Sequence, residues 1–286
     1  MKNVLITGAG GTAGRSLARY LASRARVSAL AHRELDVGDE KRVRKALAEK
    51  KPDIVFNCAG YARVDDAERE PEKAHRANVD GPRNLARALV KTGGKLIHLS
   101  TDYVFDGEKR SPYLPEDATG PLGIYAQTKA DGEKAVLGAG GPHLVVRVAW
   151  LFQTGGTTFL SRLKDLIFRE KHLRVADDRE GPCTYVPDMT EALWALAEKD
   201  ARGIYHFTNS GSCSWHGFAV ALIEAARKLG LPVQIEEPER ISSGAFSSPA
   251  RRPEYSVLDL DKTVELLGRK PRHWKETLPD FLREKP

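Results

Sequence analysis

Residues 6–14 read ITGAGGTAG, between an apolar run that begins at Asn3 and an amphipathic run that continues to Ser23. Gly8, Gly11 and Gly14 give the spacing G-x-x-G-x-x-G. Glycine permits a tight turn and lets the backbone come close to another group. The free N–H groups at the start of a helix attract anions. A strand, this turn and a helix in that order form the opening unit of a dinucleotide-binding sheet. Thr12 and Ala13 then fall in the first helical turn, where their N–H groups would face a pyrophosphate.

The rest of the first half repeats the alternation. RVSAL, PDIVFNCAG, KLIHLST and HLVVRVAW read as buried strands. DEKRVRKALAEK, PEKAHRANVDGPRNLARALVKTGG and the segment holding Tyr125 read as helices. Apolar strands separated by helices imply a parallel sheet covered on both faces. The expected fold is therefore α/β, a Rossmann-type doubly wound sheet over residues 1–150. Residues 151–286 read as a smaller, mainly substrate-binding α/β part, some of whose segments return to the first. Its helices are FLSRLKDLIFRE, PDMTEALWALAEK and SWHGFAVALIEAARKLG, with short strands LRVAD and GIYHFTN. The polar stretch EEPERISSGAFSSPARRPEYS reads as an ordered loop lining something, and two short helices close the chain.

Composition narrows the function. The net charge of +6 comes from interleaved Lys, Arg, Asp and Glu, without a basic block carrying spaced aromatics. Nucleic acid is thus an unfavoured partner, while a small anionic ligand suits the mild positive excess. No window has the ~20 apolar residues of a membrane span. The N-terminus runs straight into the first strand with no secretory pattern, so a cytoplasmic location is expected. Cys58, Cys183 and Cys213 show neither a disulfide framework nor a metal spacing, and no metal is expected.

Other residues reach the same sheet edge. After the second strand, Arg33 in AHRELD could meet a 2′-phosphate, which favours NADPH, while the adjacent Glu34 keeps NADH open. Asn57, Ala59 and Gly60 end the third strand, where a ligand would cross. Asn78 reads as a structural helix residue. Ser100 and Thr101 end the fourth strand, where a hydroxyl could bond a substrate carbonyl. Tyr125 and Lys129, four residues apart, share one helix face. An ammonium beside a phenol favours the phenolate, so the pair reads as a proton donor tuned downward.

The order of glycine turn, Asn-x-Ala-Gly, Ser-Thr and Tyr-x-x-x-Lys resembles the short-chain dehydrogenase/reductase superfamily. HLSTDYVFDG, IYAQTKADGEKAV, VVRVAWLF, IYHFTNSGSCSWHGFA and SPARRPEYSVLD resemble, more narrowly, the dTDP-4-dehydrorhamnose reductases. The resemblance implies NADPH-dependent reduction of the 4-keto group of dTDP-6-deoxy-L-lyxo-4-hexulose to dTDP-L-rhamnose. It implies Tyr125 as proton donor, Lys129 as its modulator and ribose ligand, and Thr101 as a partner of the keto oxygen. It places Asp36 and Val37 near the adenine. It gives Asp102, Tyr103, Trp150 and Thr184 to the sugar nucleotide, and Arg251 and Arg252 to a loop over the nucleotide end. Some members are dimers, so a homodimer stays open.

Two departures from the family pattern stand out. Ala126 occupies a usual glycine, and Cys183 a usual proline. Cys183 has no base beside it in sequence and reads as non-catalytic. A related sugar-nucleotide epimerase or dehydratase is the first alternative, though Tyr103 follows Asp102 where a dehydratase needs a second carboxylate. A regulatory subunit like the beta subunit of methionine adenosyltransferase is the other.

Overall fold

A computed structural model describes residues 1–246 and 248–284. Its centre is a six-stranded parallel sheet. The strands are β1 (Asn3–Thr7), β2 (Arg26–Leu30), β3 (Ile54–Asn57), β4 (Lys95–Thr101) and β5 (Leu144–Val148), with β9 (Gly203–His206) at one edge. The order is β2-β1-β3-β4-β5-β9. The chain leaves β1 for β2 on one side and returns to β3 on the other, so the order reverses at β1/β3. In open α/β sheets ligands bind at such a reversal, beyond the carboxyl ends of the strands.

Alternation along each strand divides the sheet residues between two cores. Val4, Ile6, Phe56, Ile97 and Val146 face one side, against α1 (Thr12–Leu21) and α8 (Val186–Glu198). Leu5, Val55, Leu96 and Val145 face the other. There they meet α2 (Glu40–Lys50), α5 (Gly81–Thr92) and α6 (Ile124–Leu137). Burial on both faces explains why these strands are apolar without a polar side.

The expected long helix from Pro71 is not continuous. It divides into α4 (Pro71–His75), a wider π turn at Arg76–Asp80, and α5. The Gly81 N–H reaches back to the Arg76 carbonyl, five residues away. Pro82 has no N–H to return to Asn78, so an ordinary helical bond is missing there. The backbone of α6 approaches the released carbonyl at Gly132, where a Cβ would lie 2.1 Å from the Asn78 oxygen. The Asn78 side chain accepts from Tyr61 N–H at 2.8 Å and donates to Thr128 Oγ1 at 3.1 Å. It ties the loop after β3, which continues into α3 (Val64–Ala67), to α6.

The remaining segments form a third core. β6 (Leu151–Phe152) pairs with β8 (Thr184–Tyr185), and β7 (Arg174–Ala176) with β10 (Glu239–Ile241). β10 falls inside the polar stretch read as a loop, of which Ser247 lies outside the described residues. Phe152, Leu163, Phe218, Trp274 and Phe281 pack together from β6, α7 (Phe159–Arg169), α9 (Trp215–Lys228) and α11 (Trp274–Arg283). α10 (Asp261–Leu267) precedes α11. β9 and α8 return to the main sheet, so the chain crosses between the regions more than once. Among the described residues no helix is long and apolar enough to cross a membrane.

Candidate active site

The turn after β1 is shaped by its glycines. Gly8 has φ +66°, and a Cβ there would lie 2.5 Å from Ala59 N. A Cβ on Gly14 would lie 2.4 Å from the Gly8 oxygen. Gly11 caps α1 without a side-chain bond, which leaves the helix N-terminus open to an anion. Gly11, Thr12, Ala13, Ala59 and Gly60 line a cleft of about 490 Å³. A second cavity of about 540 Å³ shares Gly11, Ala59 and Gly60 with it, so the two meet beside the turn.

The second cavity is bordered by His32, Asp36, Val37, Lys73 and Arg76. Arg76 Nη2 is 2.8 Å from Asp36 Oδ2, and Gly38 N–H donates to Asp36 Oδ1 at 2.9 Å. Burial alone would raise the Asp36 carboxyl, but Arg76 and Gly38 outweigh it and hold it below its usual value. Arg33 is exposed and borders neither cavity. The Lys and Arg side chains that border this cavity are Arg63, Lys73 and Arg76, which sequence reasoning missed. They lie far along the chain from the second strand, so only the tertiary fold brings them there.

Behind the cleft runs a buried polar chain. Thr7 Oγ1 donates to Asn57 Oδ1 at 2.6 Å, and Ala59 N–H donates to the same oxygen at 3.2 Å. That oxygen is therefore the acceptor, and Asn57 Nδ2 faces His98 Nδ1 at 3.0 Å. His98 then carries its proton on Nε2. This nitrogen lies 3.4 Å from Lys129 Nζ, a donor facing a donor, and Lys129 donates instead to the Leu99 carbonyl at 2.6 Å. Burial first, then the Lys129 charge, hold His98 neutral, well below its usual value. Burial pulls Lys129 down to about 8, against the opposing pull of Glu133 and Cys58. His98 had not been picked out from the sequence; a histidine inside an apolar strand is its only signal.

Thr101, Tyr125 and Lys129 all reach the cleft. Thr101 Oγ1 donates to Asp102 Oδ1 at 3.1 Å and accepts from Tyr103 N–H at 3.2 Å. The Tyr103 and Tyr125 rings meet edge to face, 6.1 Å between centroids. One expectation is corrected here. The Tyr125 phenol is not lowered but raised to about 12, by burial first, with Thr101 opposing and Asp102 adding to it. The Lys129 ammonium is directed to the Leu99 carbonyl, beside the His98 ring. Four-residue spacing sets a shared face but does not aim the end of a long side chain. Asp102 is 2% exposed, and burial raises its carboxyl to about 7 against the nearby Ser256 and Thr101 hydroxyls.

The opposite wall holds Trp150, at φ +42°. A left-handed conformation is costly for a bulky residue and tends to occur at functional sites. Gly181 lies beneath the indole, where a Cβ would be 2.6 Å from Trp150 Cζ2. Trp215 meets Trp150 edge to face at 5.8 Å. Trp150 Nε1 and Thr184 Oγ1 are both buried without a partner. Thr184 sits behind Trp150, its N–H bonded to the Trp150 carbonyl, and does not border the cleft. Arg252 does border it, held by Asp65 at 2.8 Å, while Arg251 is exposed and borders neither cavity. Cys183 is fully buried. Among the described residues no cluster of three or more His, Cys, Asp or Glu could hold a metal.

A doubly wound sheet with an open glycine turn, and a Thr-Tyr-Lys set at the edge of the same cleft, define a nicotinamide-dependent oxidoreductase of the short-chain type. The family model described as RmlD substrate binding domain matches residues 1–285, and the chain belongs to that family. dTDP-4-dehydrorhamnose reductase of Streptomyces griseus is 40% identical to it, over 96% of this chain and 91% of its own. Spore coat polysaccharide biosynthesis protein SpsK of Bacillus subtilis is 35% identical, over 100% and 98%. The solved dTDP-4-dehydrorhamnose reductase of Bacillus anthracis, in complex with NADP, has a TM-score of 0.92 at 32% identity. Each of those two chains is covered over 100% of its length.

Proposed function

We propose that the protein reduces the 4-keto group of dTDP-6-deoxy-L-lyxo-4-hexulose to dTDP-L-rhamnose, using NADPH. The observation that carries this reading is the convergence of Thr101, Tyr125 and Lys129 on the cleft that opens from the glycine turn. The close approaches at Gly8 and Gly14, with the uncapped start of α1, suit a pyrophosphate. Asp36, Val37 and Arg76 would hold the adenosine end, with Arg76 and Lys73 rather than Arg33 near a 2′-phosphate. When bound, NADPH supplies the hydride.

The chain's own residues supply the rest. Tyr125 donates its phenolic proton to the C4 oxygen as negative charge develops there. Thr101 donates a hydrogen bond to the same oxygen and steadies that charge. A phenol raised to about 12 stays protonated until the alkoxide, a stronger base, draws the proton away. Lys129, held by the Leu99 carbonyl, presents its cation toward the ribose side and restores the lost charge balance. Trp150 and Arg252 bound the sugar-nucleotide side. The division of labour then follows the boundary near residue 150, with residues 151–286 mainly shaping the substrate wall.

The test is NADPH oxidation with the 4-keto sugar nucleotide generated in place. Turnover that also requires Tyr125 supports the reading; absence of turnover in the wild-type protein, with NADPH still bound, would sink it.

A further inference from the structure

Cys183 and Cys213 lie thirty residues apart in sequence, yet their sulfurs are 3.3 Å apart. Both are free thiols in this structure. The contact does not rest on side-chain rotation alone. Gly181 and Cys213 form an isolated antiparallel bridge, with backbone bonds of 3.1 and 3.0 Å in the two directions. The backbone therefore holds the two cysteines in register. Cys183 is fully buried, whereas Cys213 is only partly so. Among the described residues no third His, Cys, Asp or Glu joins them in a metal-sized cluster. Two converging sulfurs without further ligands are suited to joining each other.

The place of this pair in the fold gives the bond a consequence. Cys183 precedes Thr184, which pairs with Leu151 in the β6–β8 ribbon beside Trp150. Cys213 precedes Trp215, which opens α9 and packs against Trp150. A bond between the sulfurs would link the two segments that support the Trp150 indole.

We propose that Cys183 and Cys213 are a reversible oxidation site, whose disulfide clamps the wall beneath Trp150. A low-molecular-weight disulfide such as oxidised glutathione is the oxidant. The Cys213 thiolate attacks one of its sulfurs and releases one glutathione thiolate, leaving a mixed disulfide. The Cys183 sulfur then displaces the second glutathione and closes the protein bond. Two thiol protons are released, the cysteines lose two electrons, and the oxidant becomes two glutathione thiols. Burial, then the adjacent Cys213 sulfur, raises the Cys183 thiol well above its usual value, which makes Cys213 the entering sulfur.

Intact mass, thiol titration after unfolding, and Tm test the site. They are compared in reduced and glutathione-oxidised full-length protein, with Cys213→Ser and Cys58→Ser alongside. Oxidised wild type should lose about 2 Da, the two thiol hydrogens. Its titratable thiols should fall from three to one. Peptide mapping should join Cys183 to Cys213. A loop of this size should raise Tm by roughly 5–10 °C. Cys58→Ser should keep the whole response, and Cys213→Ser should lose it. Three persisting thiols, a stable glutathione adduct on Cys213, or a bridge to Cys58 would each overturn the site. A bridge formed without a rise in Tm would overturn the clamp. These readouts require no substrate, so their failure is separate from that of the proposed reductase activity.

Discussion

The two sides of the cleft differ in how their buried polar atoms are satisfied. Behind the cleft, Thr7, Asn57 and His98 from β1, β3 and β4 bond to one another in an unbroken chain. On the side that faces the substrate space, Ser100 Oγ, Asp102 Oδ2 and Trp150 Nε1 are buried without partners, and Thr184 Oγ1 lies orphaned behind them. A buried polar atom without a bond costs about 1–3 kcal/mol. Groups that satisfy each other hold a shape. Groups left unsatisfied around a cavity are those a polar ligand can repay, which is how a site comes to favour a hydroxyl-rich molecule over an apolar one.

The most severe test of this contrast is at the seam, where Tyr125 meets both sides. Tyr125→Phe removes one hydroxyl and leaves the ring against Tyr103. On the proposed chemistry, kcat should fall by about 10²–10⁴. NADPH affinity, measured by titration, should change little, because the glycine turn and Arg76 are untouched. An equal loss of cofactor affinity would mean that Tyr125 supports the fold of the cleft rather than the proton transfer.

Asp102 gives the next effect, and its sign is specific. Its folded value of about 7 lies above the usual value of 3.8. Between these values the folded protein binds more protons than the unfolded chain. Stability therefore falls as pH rises from about 4 to 7, then levels off, a loss of at most about 4 kcal/mol. Asp102→Asn should flatten that slope. Its Tm should match wild type near pH 4 and exceed it at pH 8. A variant with the wild-type slope would show that the carboxylate is already solvated or paired.

The same contrast explains what could be read in advance. The sheet, the glycine turn and the Thr-Tyr-Lys set follow from local pattern: apolar runs, a strand-turn-helix boundary, and a fixed four-residue spacing. That Arg76, and not Arg33, borders the second cavity depends on how the turn after α4 packs beside the loop after β2, and no local pattern encodes that. The wider turn at Arg76–Asp80 has a local cause in Pro82, yet Pro82 also fits an ordinary helix start, so the pattern was ambiguous. Lys129 could be placed on its face but not aimed, because the Leu99 carbonyl and His98 come from a strand thirty residues away. The pairing of Cys183 with Cys213 was hidden for the same reason.

Asn57→Ala tests the satisfied side. Removing its amide leaves Thr7 Oγ1, Ala59 N–H and His98 Nδ1 buried without their partner. Stability should fall by about 2–3 kcal/mol, a Tm drop of roughly 5–10 °C. Thermal unfolding without ligand measures it directly. A drop under about 1 °C would show that the chain is not a unit, and that each group finds another partner when one is removed.

Ser100→Ala is the smallest and sharpest change. Ser100 lies on the same strand as His98, is likewise buried, and borders the cleft. Its Oγ has no partner to lose, so deleting it should leave Tm within about 1–2 °C of wild type, or raise it slightly. If the hydroxyl instead meets a hydroxyl-rich ligand, KM for the sugar nucleotide should rise by about 2–10-fold, the worth of one neutral hydrogen bond. The two substitutions thus exchange signatures: Asn57→Ala lowers Tm by several degrees, Ser100→Ala raises KM at constant Tm. If Ser100→Ala unfolds as easily as Asn57→Ala, the orphaned atoms are part of the scaffold, and the contrast between the two sides fails. If neither KM nor Tm moves, Ser100 faces a part of the cleft that the substrate does not reach, and of the unpartnered atoms at the cleft Asp102 Oδ2 and Trp150 Nε1 are left to meet it.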